Sequence, residues 1–115
     1  RTFGLNSILL PRQHRIRSAE TFRSIMRNSR RVSTSEFVAY IGNQEVAEAQ
    51  FGFIVSKAVG TAVTRNRVKR QLRAAAASRL ANLKPVAVVI RANPAAATAD
   101  FSQIMSSMNL VLEAA

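Results

Sequence analysis

Apolar residues recur with a helical period in three segments of this chain. In the first, Phe22, Ile25 and Met26 follow one another at i, i+3 and i+4, after a potential N-cap at Ser18. A long middle segment and a last segment with six spaced apolar residues show the same period. The three predicted helices begin at Ser18, at Thr61 or Thr64, and at Phe101, and Pro85 stops the middle helix after Leu83.

Three other segments have the composition of β-strands bounded by turn residues. They are Glu36 to Ile41 (EFVAYI), Gln50 to Ser56 (QFGFIVS) and residues 85–92 (PVAVVIRA). The first of them carries apolar groups on both faces. The order helix, strands, helix, strand, helix predicts an α+β fold, with about four strands in a mixed sheet and three helices in two layers. We expect a single domain over residues 1–115, in which residues 1–17 form an irregular N-terminal arm that is ordered on a partner.

Charge adds the strongest functional indication. Seventeen Lys and Arg residues against six acids give a net charge of +11, and fourteen of the bases are arginine. Between Glu48 and Asp100 there is no carboxylate, and this interval holds nine bases. Such a block is typical of a nucleic-acid-binding surface. A membrane surface is the weaker alternative, because the basic segment lacks a bulky apolar face and no apolar run approaches the roughly 20 residues of a membrane span.

The sequence offers few groups for catalysis. Cysteine is absent, His14 is the only histidine, and the six acids are scattered. Disulfide and thiol chemistry are therefore excluded, and neither a two-metal nuclease site nor a general acid–base pair can be assembled convincingly.

The basic block is densest in TRNRVKRQLR, residues 64–73, which holds five positive charges in ten positions. A helical period of about 100° spreads these bases and Asn66 over roughly 200° of arc and gathers Val68, Leu72 and Ala75 within about 60° on the opposite side. Like charges face each other at i, i+4 from Arg65 to Lys69 and again to Arg73. Each such pair destabilises an isolated helix by a few tenths of a kcal/mol. The alternatives are a solvated helix surface, which usually mixes signs, or a face that holds a polyanion.

Residues 56–73, SKAVGTAVTRNRVKRQLR, resemble the signature of the protein subunit of bacterial ribonuclease P. The matching positions are Ser56, Lys57, Gly60, Ala62, Val63, Arg65, Asn66, Arg67, Lys69, Arg70 and Arg73. The resemblance extends to HRIRSAETF (14–22) and EFVAY (36–40) and to the order of elements. Three positions depart from the family's pattern: Ala58 replaces a lysine, Ala74 an acid, and Met26 an aromatic residue.

The resemblance implies a cytoplasmic subunit of a ribonucleoprotein endonuclease that removes the 5′ leader of precursor tRNA. Its implied partners are ribonuclease P RNA and precursor tRNA, with no membrane and no obligate protein partner. The RNA would carry the catalytic centre with Mg²⁺, and the protein would supply no catalytic residue, metal ligand or cofactor site. The family also implies a left-handed connection between the strands that flank the signature helix, against the usual right-handed rule.

Two groups of site residues follow from the resemblance. The expected RNA-binding residues are Arg65, Asn66, Arg67, Lys69, Arg70, Arg73, Lys57, Arg15 and Arg17. The expected lining of a 5′-leader cleft is Phe22, Met26, Val38 and Tyr40. Phe22 and Met26 could equally be core residues, whereas the Tyr40 ring could stack on a base while its hydroxyl stays in water. Asn66 could cap the helix, bind a phosphate or position a hydrated metal.

Three other classes of protein stay open at this stage. A ribosomal or chaperone-like RNA-binding protein would share the charge and the mixed fold without requiring the signature. A DNA-binding regulator would need more mixed Asn, Gln and Ser readout on its recognition helix. A stand-alone nuclease would cleave RNA without an RNA partner.

Overall fold

A computed structural model describes residues 10–115 as three α-helices and a four-stranded sheet. The helices are α1 (Ala19–Arg27), α2 (Ala62–Ala77) and α3 (Phe101–Glu113). The strands are β1 (Ser29–Ser33), β2 (Phe37–Gly42), β3 (Gln50–Ile54) and β4 (Ala87–Ala92). Short 3-10 turns occupy Arg12–His14, Leu80–Asn82 and Pro94–Ala97. The predicted α+β class, with three helices and four strands in a mixed sheet, is confirmed.

The strands lie side by side in the order β1-β2-β4-β3. The β1–β2 and β2–β4 pairs are antiparallel, and the β3–β4 pair is parallel. Helix α2 connects the two parallel strands, so the basic segment lies on the crossover. The left-handed sense of that crossover stays a prediction.

Helices cover both faces of the sheet, so the two-layer prediction is wrong. Helices α2 and α3 pack on one face, where Leu72 and Met108 join Phe51 in the larger core cluster. Helix α1 packs on the other face, where Ile25 joins a smaller cluster with Tyr40. The physical reason is visible in β2 and β4, which are buried at nearly every successive position. Strands with apolar residues on both sides need cover on both sides.

Polar side chains fix where the helices begin. The hydroxyl of Ser18 accepts a hydrogen bond from the Thr21 N–H at 3.0 Å, which confirms it as the N-cap of α1. The hydroxyl of Thr61 accepts from the Thr64 N–H at 3.3 Å and selects the earlier of the two predicted starts for α2. Asp100 caps α3.

Helix α2 ends at Ala77 and not at the predicted Leu83. The Ser78 hydroxyl donates to the carbonyl oxygen of Ala75 at 2.7 Å, and a 3-10 turn at Leu80–Asn82 follows. An apolar period does not distinguish the last turns of an α-helix from a 3-10 turn that packs on the same core.

Strand β1 is the fourth strand of the sheet, which the sequence pattern did not locate. Its sequence, SRRVS, has one apolar residue, and no position in it is fully buried. It is held by antiparallel pairing with β2, from Ser29 opposite Gly42 to Ser33 opposite Val38. A polar edge strand of this kind is specified by its partner and by the edge it protects more than by its own composition.

Residues 10–17, the described part of the predicted arm, pack against the rest of the domain. Leu10 and Ile16 are buried. The Ile16 N–H donates to the carbonyl oxygen of Phe51 at 2.8 Å, which extends the sheet beyond β3, and the His14 ring donates from Nδ1 to the carbonyl oxygen of Ala49 at 2.6 Å. The predicted arm's first nine residues lie outside the described range.

Candidate nucleic-acid interface

Helix α2 presents the predicted basic face. Val68, Leu72 and Ala75 are fully buried, which confirms the narrow apolar stripe that packs on the sheet. The opposite side carries the predicted bases and Asn66. Of these, Asn66, Arg70 and Arg73 are exposed, and Arg65, Arg67 and Lys69 are half-buried.

Two arginines of α2 are anchored by neutral acceptors. Arg65 donates from Nε to the carbonyl oxygen of Gly60 at 3.2 Å, and Arg67 donates from Nη2 to the carbonyl oxygen of Ala97 at 2.5 Å. Gly60 has a φ of +153°, a backbone conformation that a residue with a β-carbon rarely adopts. Because a carbonyl carries no net charge, both contacts orient the guanidinium groups without neutralising them. The face therefore keeps its positive charge.

A small cleft of about 100 Å³ at the β3 edge joins the face of α2 to the segment before α1. Arg15 lies on one side of it, and Lys69 and Arg73 on the other. Phe22 and Gly52 also contribute to the lining. Arg15 is thus brought next to the basic helix.

A second cleft of about 370 Å³ opens on the other face of the sheet, between α1 and the strands. Its lining consists of Arg23, Met26, Arg27, Arg31, Tyr40 and Arg91. Tyr40 is only 2% exposed. The central carbons of the Arg31 and Arg91 guanidinium groups lie 5.3 and 5.6 Å from the centroid of its ring. The ring is covered by cations and is not free for stacking, contrary to the sequence-based expectation.

The remaining predicted site residues are more dispersed. Val38 is half-buried on the Tyr40 face of β2, while Phe22 and Met26 are half-buried against the cluster under α1. Both are packing residues, and they line different clefts: Phe22 lines the small cleft at the β3 edge and Met26 lines the second cleft. Lys57 is exposed in the loop before α2 and lines neither of the two clefts, and Arg17 is exposed just before α1.

Four arginines of the second cleft were missed from the sequence. Arg23 and Arg27 lie one turn apart on α1, Arg31 is on β1 and Arg91 on β4. Arg91 is the single charge of β4, whereas Arg23 and Arg27 share one face of α1 and Arg31 adjoins Arg30 on β1. The spacing of Arg23 and Arg27 was a local signal, but nothing in the sequence joins the three elements into one group.

Among the described residues, no carboxylate lines either cleft. Glu36, just before β2, accepts hydrogen bonds from the hydroxyls of Ser107 and of Ser35, the latter at 2.7 Å. These two bonds, that from Ser107 first, lower the pKa of Glu36. Within residues 10–115, no three His, Cys, Asp or Glu side chains come together as a metal would require. In that same range no helix is both long and apolar enough to cross a membrane.

Comparison with known proteins agrees with the resemblance seen in residues 56–73. A family model described as Ribonuclease P matches residues 10–115. The ribonuclease P protein component of Acidothermus cellulolyticus is 36% identical over 107 residues, which cover 90% of this chain and 89% of that protein. The ribonuclease P protein component of Micrococcus luteus is 42% identical over 107 residues, which cover 82% and 81%.

Solved structures show the same architecture. The RNase P protein of Staphylococcus aureus matches with a TM-score of 0.80 at 28% identity, covering 88% of this chain and 94% of that one. The RNase P protein of Thermotoga maritima matches with a TM-score of 0.79 at 19% identity, covering 88% and 96%. At the latter identity the likeness concerns the fold alone.

Proposed function

The chain belongs to the ribonuclease P protein family, and from this premise we propose that its two basic surfaces bind different RNAs. As a ribonuclease P protein component it is a subunit of a tRNA-processing ribonucleoprotein and binds ribonuclease P RNA. We propose that the exposed face of α2 binds that RNA, and that the cleft between α1 and the sheet receives the single-stranded 5′ leader of precursor tRNA.

The assignment of α2 to the catalytic RNA rests on one observation above all, its continuous basic face in a stretch without carboxylates. Structured RNA is recognised mainly through its phosphates and its shape, which a convex helix surface rich in guanidinium groups can match. Arginine pairs with phosphate oxygens through two parallel N–H donors, so anchored residues such as Arg65 and Arg67 also fix the orientation of the partner. Lys69, Arg73 and Arg15 would extend the contact to the β3 edge.

The assignment of the leader to the second cleft is supported by its lining. Met26 offers an apolar surface and the surrounding arginines offer charge, the two components that single-strand sites combine. Phe22 and Val38 are not part of this lining, but they pack on the same apolar cluster as Met26 and Tyr40.

Catalysis is proposed to belong to the RNA, with Mg²⁺ bound there. The described part of the protein brings together no acidic cluster that would hold such ions, so no step is assigned to a protein-bound metal. The protein would neutralise phosphate repulsion, orient the two RNAs and favour substrates that carry a leader. We propose that this tRNA processing takes place in the cytoplasm.

Titration with ribonuclease P RNA at several salt concentrations tests the role of α2. The double variant Arg70→Gln/Arg73→Gln should reduce the slope of log affinity against log salt by about 2, because roughly one counterion is released per phosphate contact. The control Arg12→Gln/Lys84→Gln removes the same charge from exposed positions outside the face and should leave the slope nearly unchanged. Equal slopes for both double variants would refute the assignment.

A further inference from the structure

Tyr40 lies at the centre of a cluster of arginines that three separate elements bring together. Arg31 on β1 is the direct cross-strand partner of Tyr40. Arg91 on β4 pairs with Val38, which is on the same face of β2 as Tyr40. Helix α1, which packs on the same face of the sheet, contributes Arg23 and Arg27 to the cleft.

The positive charge of this cluster is not neutralised by a carboxylate of the cleft lining. Its four arginines are all exposed, and the lining of the cleft includes no carboxylate. Four like charges around one concavity repel each other and create a positive potential that attracts anions. The ring of Tyr40 relieves only part of this repulsion, since each cation–π contact contributes about 0.5–1 kcal/mol at an accessible site.

We propose that Arg31 and Arg91 bind backbone phosphates of the 5′ leader, and that Tyr40 is a positioning residue that holds the two guanidinium groups. This inference rests on the proposed leader-binding role of the cleft. Because the Tyr40 ring is covered, the leader is bound through its phosphates and not by stacking on Tyr40. This binding is independent of the leader's base sequence, because phosphate contacts carry no sequence information.

The leader fits this site better than the catalytic RNA does. The cleft combines the apolar Met26 with its arginines, and a duplex, whose bases are stacked inside it, offers only its backbone to such a site. A single strand can enter and lay successive phosphates along the arginines, with Met26 available to an adjacent base.

Affinity measurements on the complex with ribonuclease P RNA test the inference. The quantity of interest is the ratio of the Kd for tRNA without a leader to the Kd for precursor tRNA with one. Arg31→Gln/Arg91→Gln should lower this ratio about tenfold, as expected for two charged hydrogen bonds that are partly screened. The loss should be the same for oligo-A and oligo-U leaders.

A matched double variant controls for charge. Arg30→Gln/Lys84→Gln also removes two positive charges, but Arg30 lies beside Arg31 on β1 with its side chain on the other face, bonded to the carbonyl oxygen of Ala114. Lys84 is exposed and lies outside the cleft. This variant should change both Kd values by the same factor and leave the ratio intact.

Two substitutions of Tyr40 test its positioning role. Tyr40→Phe keeps the ring and should keep the ratio. Tyr40→Leu should lower the ratio in the wild-type background and have no further effect in Arg31→Gln/Arg91→Gln, because the groups that it positions are then absent. A purely structural Tyr40 would instead reduce stability and leave the ratio unchanged, which would overturn this part of the inference.

The possible results distinguish a failure of phosphate binding by Arg31 and Arg91 from a failure of the proposed leader-binding role. If the wild-type protein discriminates in favour of the leader and Arg31→Gln/Arg91→Gln discriminates equally well, the inference fails while the proposed function stands. Equal weakening of both substrates by that variant also overturns it, because the arginines would then contact the catalytic RNA or the tRNA body. If the wild-type protein does not distinguish the two substrates, the leader-binding role itself fails.

Discussion

The ring of Phe22 lies directly over Gly52, so closely that a β-carbon added to Gly52 would lie 2.4 Å from both Cε1 and Cζ of the ring. Because Gly52 of β3 has no side chain, α1 can approach the sheet this closely at Phe22. The packing of α1 in turn sets the position of Met26 and of the arginines that line the second cleft. One glycine therefore links the edge strand to the geometry of the proposed leader site.

Replacing this glycine should displace α1. We expect Gly52→Ala to lower the free energy of unfolding by about 1–3 kcal/mol, the usual cost of overpacking. Phe22→Ala removes the ring that the new methyl group would strike, so the double variant should lose less stability than the two single variants together. Urea denaturation of the three variants measures this coupling. Strictly additive losses would show that the close approach of Phe22 and Gly52 does not constrain α1.

The arginines of α2 should separate into two classes. Arg67→Ala removes a hydrogen bond to the carbonyl oxygen of Ala97 and should cost about 1 kcal/mol of stability in addition to RNA affinity. Arg70→Ala, at an exposed position, should weaken RNA binding while changing stability by less than about 0.5 kcal/mol. Denaturation and RNA titration of both variants check this difference. Equal stability losses would mean that the Arg67 contact contributes nothing to the fold.

The contact between Glu36 and Ser107 should make stability depend on pH. Hydrogen bonds from Ser107 and Ser35 lower the pKa of Glu36 below its ordinary value of 4.5. The resulting stabilisation is complete above that ordinary value and is lost as the pH falls through the lowered value of the folded state. Ser107→Ala should therefore be less stable at pH 7 than Ser106→Ala, a helix-matched control, by less than about 1 kcal/mol because Glu36 is partly solvated.

Stability measurements from pH 7 down to acid conditions test this pair. The difference between Ser107→Ala and Ser106→Ala should shrink towards zero as Glu36 becomes protonated. A difference that stays constant with pH would show that the hydroxyl of Ser107 does not stabilise the carboxylate.

The capping box at the start of α3 gives a fourth prediction. The Asp100 carboxylate accepts from the Gln103 N–H at 2.8 Å, and the Gln103 side chain accepts from the Asp100 N–H at 2.8 Å. Asp100→Ala should cost about 1 kcal/mol, whereas Asp100→Asn keeps the cap and should cost little. Thermal unfolding of the two variants compares them directly. Equal melting temperatures would indicate that the cap does not contribute.

What the sequence could predict depends on how local the determining interactions are. The two faces of α2 follow from the helical period within ten consecutive residues, and the N-caps Ser18 and Thr61 precede their helices directly. The capping box is local in the same way, since Asp100 and Gln103 have the required spacing at the start of α3. These features need no knowledge of the sheet.

The arginine cluster around Tyr40 could not be predicted in this way. It depends on the register that sets Arg31 opposite Tyr40 and Arg91 opposite Val38, in strands separated by up to 60 residues of chain. Strand β1 itself was not located, because SRRVS lacks an apolar pattern. Without β1, the sequence does not reveal that Tyr40 is buried next to the guanidinium groups of Arg31 and Arg91, and a more exposed aromatic ring is the natural expectation.

Cleavage of precursor tRNA at low Mg²⁺ tests the central claim most directly. Three samples are needed: this protein alone, a bacterial ribonuclease P RNA alone, and the two together. Cleavage at the mature 5′ end should occur efficiently only in the combined sample if, as proposed, the protein contributes binding and the RNA contributes the catalytic centre. Cleavage by the protein alone would contradict the assignment of catalysis to the RNA, and a combined sample no more active than the RNA alone would contradict the subunit role.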